Sequence, residues 1–121
     1  LEFRRVLFRS GNTRSHPILT RIDRASARAE IDDCRQLLTQ RVGHAIDAFA
    51  YPNGSASDFS PDIERQVVSS GFKFAFSLGA GASRLSAIKE RPTAIRRVYL
   101  SGDDGMLRFA AKLARFTISG P

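Results

Sequence analysis

Ala45-Ile46-Asp47-Ala48-Phe49-Ala50-Tyr51-Pro52-Asn53-Gly54 is the stretch from which the fold is read. Ala45 to Tyr51 is a short, mostly apolar run of the length and composition of a buried strand, and it closes on Pro-Asn-Gly, a strong turn signal. A buried strand needs cover on its faces, and the flanking sequence supplies it. Upstream, Asp23 is placed to cap a helix over Arg24 to Arg41, in which Ala27, Ile31, Cys34 and Leu38 recur on one face. Gly43 follows at the position where helices end in the left-handed conformation. Cys34 falls in phase with that apolar face and reads as a small buried hydrophobe. Taken alone, Tyr51 to Gly54 is an efficient turn and nothing more.

Downstream, Ser60-Pro61 opens a second helix with Ser as cap and Pro at the first helical position. Ile63, Val67 and Val68 supply its apolar face and Gly71 stops it. Phe72, Phe74, Phe76 and Leu78 alternate with Lys73, Ala75 and Ser77, the period of a strand. Leu78 to Ser83 reads as a Gly/Ala/Ser loop and Ile95 to Leu100 as a further strand. Asp103 or Asp104 is placed to cap a last helix through about Phe116, with Met106, Leu107, Ala110, Leu113 and Ala114 as its buried stripe. The order is helix, strand, helix, strand, strand, helix. Such alternation favours parallel βαβ units. Three parallel strands cannot close a barrel, so the expected fold is α/β, an arc of a larger (β/α) barrel. Sites in such barrels lie on the loops at the C-terminal strand ends.

The first ten residues, LEFRRVLFRS, differ from the rest and have no helix or strand period. They look like the translation, residue for residue, of a common short-read sequencing adapter, and 1–10 is expected to be a leader foreign to the protein. The chain has 121 residues, with 19 Lys+Arg against 12 Asp+Glu. Without the leader the excess falls to 16 against 11. The remaining Arg residues are scattered and carry no aromatic interleaving, so the chain is not expected to bind nucleic acid. A single cysteine excludes an internal disulfide. No apolar run reaches the length of a membrane span.

The residues with chemical potential are few. His16 lies between Ser15 and Pro17, where the pre-proline position favours an extended backbone and a fixed imidazole. A lone loop histidine is more often simply polar. His44, next to Gly43, reads as an exposed residue at a helix end. The adjacent pairs Asp32-Asp33 and Asp103-Asp104 read as solvated or capping residues.

Thr13-Arg14-Ser15-His16-Pro17, then a helix, then Phe49-Ala50-Tyr51-Pro52-Asn53-Gly54 resembles, in order and spacing, the middle of polysaccharide deacetylases. These metal-dependent enzymes remove acetyl groups from chitin-like and peptidoglycan-like chains. The resemblance covers nearly all of Gly11 to Phe116, and implies that 11–121 is the C-terminal portion of a polysaccharide deacetylase-type (β/α) barrel. It implies that His16 is a metal ligand and that Asn12 stands where the family's His-Thr/Ser-x-x-His-Pro motif has its first histidine. Asn12 is a genuine substitution in a non-catalytic relative, or the trace of a lost codon or a base change near the junction. An amide oxygen is a poor replacement for imidazole on a zinc-like ion.

Tyr51, Pro52, Asn53 and Gly54 would line the substrate groove, with a backbone amide after the tyrosine helping to hold the oxyanion. The family's Arg before this turn is absent, as in its Phe-Ala-Tyr-Pro variant. Arg96-Arg97-Val98-Tyr99 and Ser101 to Asp104 resemble the closing strand and helix of the same subgroup. The implied substrate is an N-acetylated polysaccharide or oligosaccharide, and the implied cofactor a divalent metal, zinc foremost, that this fragment is not expected to retain. The implied setting is the cell envelope or the exterior. The catalytic base, an Asp of a paired-Asp strand end, and the catalytic acid, a late histidine, are not found in this chain. The fragment is therefore expected to be inactive, as part of a hydrolase of acetamide bonds or as a catalytically dead glycan-binding relative.

Overall fold

The computed structural model describes residues 10–79 and 81–117. Its centre is a parallel four-stranded sheet in the order β1 (Ser10–Gly11), β2 (Ala48–Ala50), β3 (Phe74–Ser77), β4 (Ile95–Arg96). Sequential order in a parallel sheet means that each strand returns through a connection to the same end. Those connections carry α1 (Arg24–Val42), α2 (Pro61–Ser69) and α3 (Leu85–Glu90), and α4 (Met106–Thr117) follows the last strand.

α1 forms for the reasons its sequence gives. Asp23 accepts the Ser26 amide at 2.9 Å and the Ser26 hydroxyl at 2.6 Å. At the other end Gly43 takes φ 81° and its N–H reaches Thr39 O at 2.9 Å. Ala27, Ile31 and Cys34 are buried. Ser60 caps α2 through the Ile63 amide at 3.3 Å, with Pro61 first in the helix. One continuous core joins Ala27 and Ile31 of α1, Ile63 and Val67 of α2, Phe49 and Ala75 of the sheet, and Tyr51 just after β2. Phe72 fills the corner before β3, with its ring centroid 5.2 Å from that of Phe49 and the Arg35 guanidinium 5.7 Å above it. A fully buried side chain of this size contributes about 1.5–3 kcal/mol.

The architecture is the expected parallel α/β arc, and several details differ. β1 and α3 were not expected: two residues of strand and six of helix carry no readable period. β2 and β4 are shorter than the runs that suggested them, Ala45 to Tyr51 and Ile95 to Leu100. In β3 the buried positions are Ala75 and Ser77, while Phe74 is 42% exposed. Ala75 pairs with Phe49 beneath the helices, so Phe74 and Phe76 fall with Ala48 and Ala50 on the opposite face. Val68 is exposed, since Ile63 and Val67 already occupy the inward direction of α2.

The largest correction concerns α4. The expected buried stripe is open to solvent, with Met106 80% and Leu107 88% exposed. Asp104 accepts the Ser101 amide at 2.8 Å and the Lys112 ammonium, and Lys112 also reaches Tyr99 O at 3.2 Å. The helix is thus tethered by its polar side. Periodicity identifies an apolar face and says nothing of what covers it.

Candidate functional site

Because β1 and β2 are parallel, with Gly11 opposite Phe49, the segments that follow them leave the same edge of the sheet. The first carries Asn12 to Pro17 and the second Tyr51 to Gly54. Thr20 Oγ1 donates to Ser57 O at 2.9 Å and ties the two loops together. Among the described residues, the non-glycine residues with positive φ are Thr13 (59°), His16 (65°) and Asn53 (59°). All three lie in these two segments. Left-handed backbone costs a residue with a Cβ about 1–2 kcal/mol, so the surroundings must impose it.

In the first loop the constraint comes from α1. Glu30 Oε2 accepts the backbone N–H groups of Arg14 and Ser15, each at 2.8 Å, and Oε1 accepts the Ser15 hydroxyl at 2.5 Å. Burial pushes the Glu30 carboxyl up, but these hydrogen bonds and the Arg14 charge outweigh it and hold it below its ordinary value. Thr13 Oγ1 accepts the His16 N–H at 3.1 Å. This closed loop overrides the pre-proline preference: His16 is left-handed, not extended as expected. Its side chain is exposed, as is that of Asn12. Gly11 makes the approach possible, because a Cβ there would sit 2.9 Å from Phe72 Cζ and 3.2 Å from Cys34 Sγ. Cys34 is buried as read from its phase, and burial pushes its thiol up.

The second loop is built from inside. The Tyr51 side chain is 1% exposed, stacked on Phe59 at 4.2 Å with ring planes 6° apart, and its hydroxyl donates to Thr93 O at 2.8 Å. Burial, then the Glu64 charge, push its ionisation well above the ordinary tyrosine value. Pro52 and Gly54 are also buried, and Asn53 alone of the four is exposed. The tyrosine ring therefore supports the turn from the core side rather than forming a wall by itself.

The hydrogen bonds of the turn narrow the backbone amide after Tyr51 to one position. Pro52 follows Tyr51 and has no N–H. The Tyr51 amide is used on Phe76 O at 3.0 Å and that of Gly54 on Pro52 O at 2.6 Å. The Asn53 amide meets no acceptor among the described residues and is the donor the turn has left. Asp58, 3% exposed, fixes Asn53 by accepting its Nδ2 at 2.7 Å and the Ser55 amide at 2.8 Å, together with the Ser55 hydroxyl. The Ser55 hydroxyl, foremost among these contacts, holds the Asp58 carboxyl below its ordinary value against the effect of burial.

Sequence reasoning missed Asp58, Glu30 and Thr93. Asp58 had a signal, a carboxylate three residues after Ser55 in a Pro/Gly turn. Glu30 and Thr93 had none, because their partners lie 15 and 42 residues away.

A divalent ion does not fit the described residues alone. No three His, Cys, Asp or Glu side chains among them come together in a way that could hold a metal. One imidazole and one amide oxygen fall short of the three or four ligands a catalytic zinc requires. Among the described residues no helix is long and apolar enough to cross a membrane.

Comparison with known proteins agrees with this arrangement. The family model described as Polysaccharide deacetylase matches residues 10–75. No curated protein matches the chain. Among solved structures, a Streptococcus pyogenes deacetylase, PplD, in complex with acetate is similar with a TM-score of 0.72 and 16% identity, over 85% of this chain and 43% of that one. BC0361, a polysaccharide deacetylase from Bacillus cereus, is similar with a TM-score of 0.73 and 17% identity, over 86% of this chain and 31% of its own. The chain thus spans less than half the length of either structure. The matched residues run from β1 through α1, β2 and α2 into β3 and include both loops, and on that match the chain belongs to the polysaccharide deacetylase family.

Proposed function

We propose that this chain is part of a polysaccharide deacetylase acting on acetamide groups of N-acetylated glycans, and that its two loops form adjoining walls of the glycan site. The observation that supports this best is their common origin. The His16 loop and the Asn53 turn leave neighbouring parallel strands at one edge, each forced into left-handed backbone by buried or clamped partners. Such strain persists where surrounding structure over-determines it, and it clusters at functional sites. In this reading the Asn53 amide donates a hydrogen bond to a sugar or acetyl oxygen, and preorganised backbone donors are effective where negative charge develops on oxygen. His16 offers an imidazole beside it.

Hydrolysis by the whole enzyme, in the same reading, uses a divalent metal, zinc or a similar ion, whose remaining ligands are not among the described residues. The chain as given is then inactive. With zinc and an acetylated chito-oligosaccharide it should bind no stoichiometric tight zinc and release no acetate. One equivalent of tightly held zinc with acetate release would overturn the proposal. The second reading is a glycan-binding relative without catalysis, favoured by the exposed Asn12 in place of a histidine. Asn12→His in a longer chain carrying the remaining site residues should restore metal binding under the first reading and not under the second.

A further inference from the structure

A polar network on the helix side of the sheet, buried at Glu64, Thr93 and Tyr51 and open to solvent at Arg91, ends at the turn that follows Tyr51. Glu64 projects from α2 with its side chain 10% exposed. Arg91, just after α3, grips it with two nitrogens, Nε to Oε2 at 3.1 Å and Nη2 to Oε1. Thr93 Oγ1 donates to Glu64 Oε2 at 2.7 Å. The carbonyl of the same Thr93 accepts the Tyr51 hydroxyl at 2.8 Å. Burial pushes the Glu64 carboxyl up, but the Arg91 and Thr93 hydrogen bonds outweigh it, so the carboxylate is charged in the folded protein.

Each link restrains the next. The two-nitrogen ion pair fixes a planar carboxylate in orientation as well as distance. That carboxylate fixes the Thr93 hydroxyl and hence the peptide that presents Thr93 O. Thr93 O fixes the Tyr51 hydroxyl, and Tyr51 is the residue directly before Pro52-Asn53-Gly54. Its ring cannot slip sideways, being stacked on Phe59 and edge-on to Phe49 at 5.5 Å. With the Arg91 side chain 59% exposed, such a pair adds little net stability, and its value here lies in fixing one arrangement of the Glu64 carboxylate.

We infer that Glu64 and Arg91 are positioning residues, which set the orientation of the Asn53 amide through Thr93 and Tyr51. The inference rests on the reading above that the Asn53 turn faces the glycan. It adds that α2 and the segment before β4, both outside the two motifs, tune that contact.

The test compares Glu64→Gln, Thr93→Val and Tyr51→Phe with Ile31→Val, a mild core change on α1. For each variant of the 121-residue chain, the ¹H–¹⁵N signals of Asn53 and Gly54, the Tm and the affinity for N-acetylated chitohexaose are measured. The three network variants should move the Asn53 and Gly54 amides and weaken the glycan by about threefold or more, the scale of one weakened hydrogen bond. Ile31→Val should lower Tm and leave those amides in place. If Glu64→Gln does not fold, Tyr51→Phe, which removes a single oxygen, decides the matter by the same signals. Variants that lose Tm with the Asn53 and Gly54 amides unmoved would overturn the inference. Amide shifts in a chain that binds no glycan would uphold the positioning and overturn only the functional reading.

Discussion

Gly11→Ala is the smallest change that should displace the site-bearing edge of the sheet. Gly11 is the last residue of β1, and the new methyl would meet Phe72 Cζ at 2.9 Å, Phe72 Cε1 at 3.2 Å and Cys34 Sγ at 3.2 Å. None of these can withdraw easily. Phe72 is 2% exposed and wedged between Phe49 and the Arg35 guanidinium, and Cys34 is fixed on α1. Nor can β1 retreat, since its residues pair with Ala48 and Phe49 of β2. Overpacking of this kind costs about 1–3 kcal/mol. That corresponds to a Tm lower by roughly 4–12 °C in a domain of this size. The assay is urea unfolding followed by circular dichroism, analysed by linear extrapolation.

The origin of the cost is tested by Phe72→Leu, which removes both ring atoms that the methyl would strike. In that background Gly11→Ala should cost at least about 1 kcal/mol less, a coupling typical of residues in contact. A cost below about 0.5 kcal/mol in the unaltered chain, or an equal cost in both backgrounds, would refute the close-approach argument.

Two further outcomes follow from the geometry. The Glu30 carboxyl is held below its ordinary value in the folded chain, so its contribution is complete above about pH 4.5 and is lost as pH falls through the lower folded value. Acid should therefore release the Arg14 and Ser15 amides only as pH falls through that lowered value, after ordinary carboxylates have taken up their protons, and Glu30→Gln should flatten that part of the acid-unfolding curve; an identical curve would remove Glu30 from the account. Leu107→Ser should change stability by less than about 0.5 kcal/mol, because Leu107 is 88% exposed. A loss of about 2–5 kcal/mol would mean that α4 is packed as a core helix.

What could be read in the sequence was what is encoded locally. α1 was legible nearly to the residue because its cap, its apolar phase and its terminal Gly43 are all local signals. α2 was marked equally by Ser60-Pro61. The strands were less legible because a strand's extent depends on its partner: β1 has two residues, and nothing in Ser10-Gly11 announces pairing with Ala48. His16 shows the limit of a strong local rule, since the pre-proline preference lost to the clamp from Glu30, a residue fixed by a different element.

The site was legible as two loops and not as a set of contacts. The placement of Tyr51 was within reach, because residues two apart in a strand share a face and Phe49 is core. Thr93, which holds its hydroxyl from 42 residues away, was not. In α4 the period was read correctly and the burial inferred from it was not, since cover is a property of tertiary structure.

The most direct test of the central claim is to map the binding of N-acetylated chitohexaose to the ¹⁵N-labelled chain. The account predicts perturbation of the Asn53 and Gly54 amides together with those of residues 12–16, and little change in α4. Perturbation confined to α4 or to the outer faces of α1 and α2, or no perturbation at millimolar glycan, would contradict it.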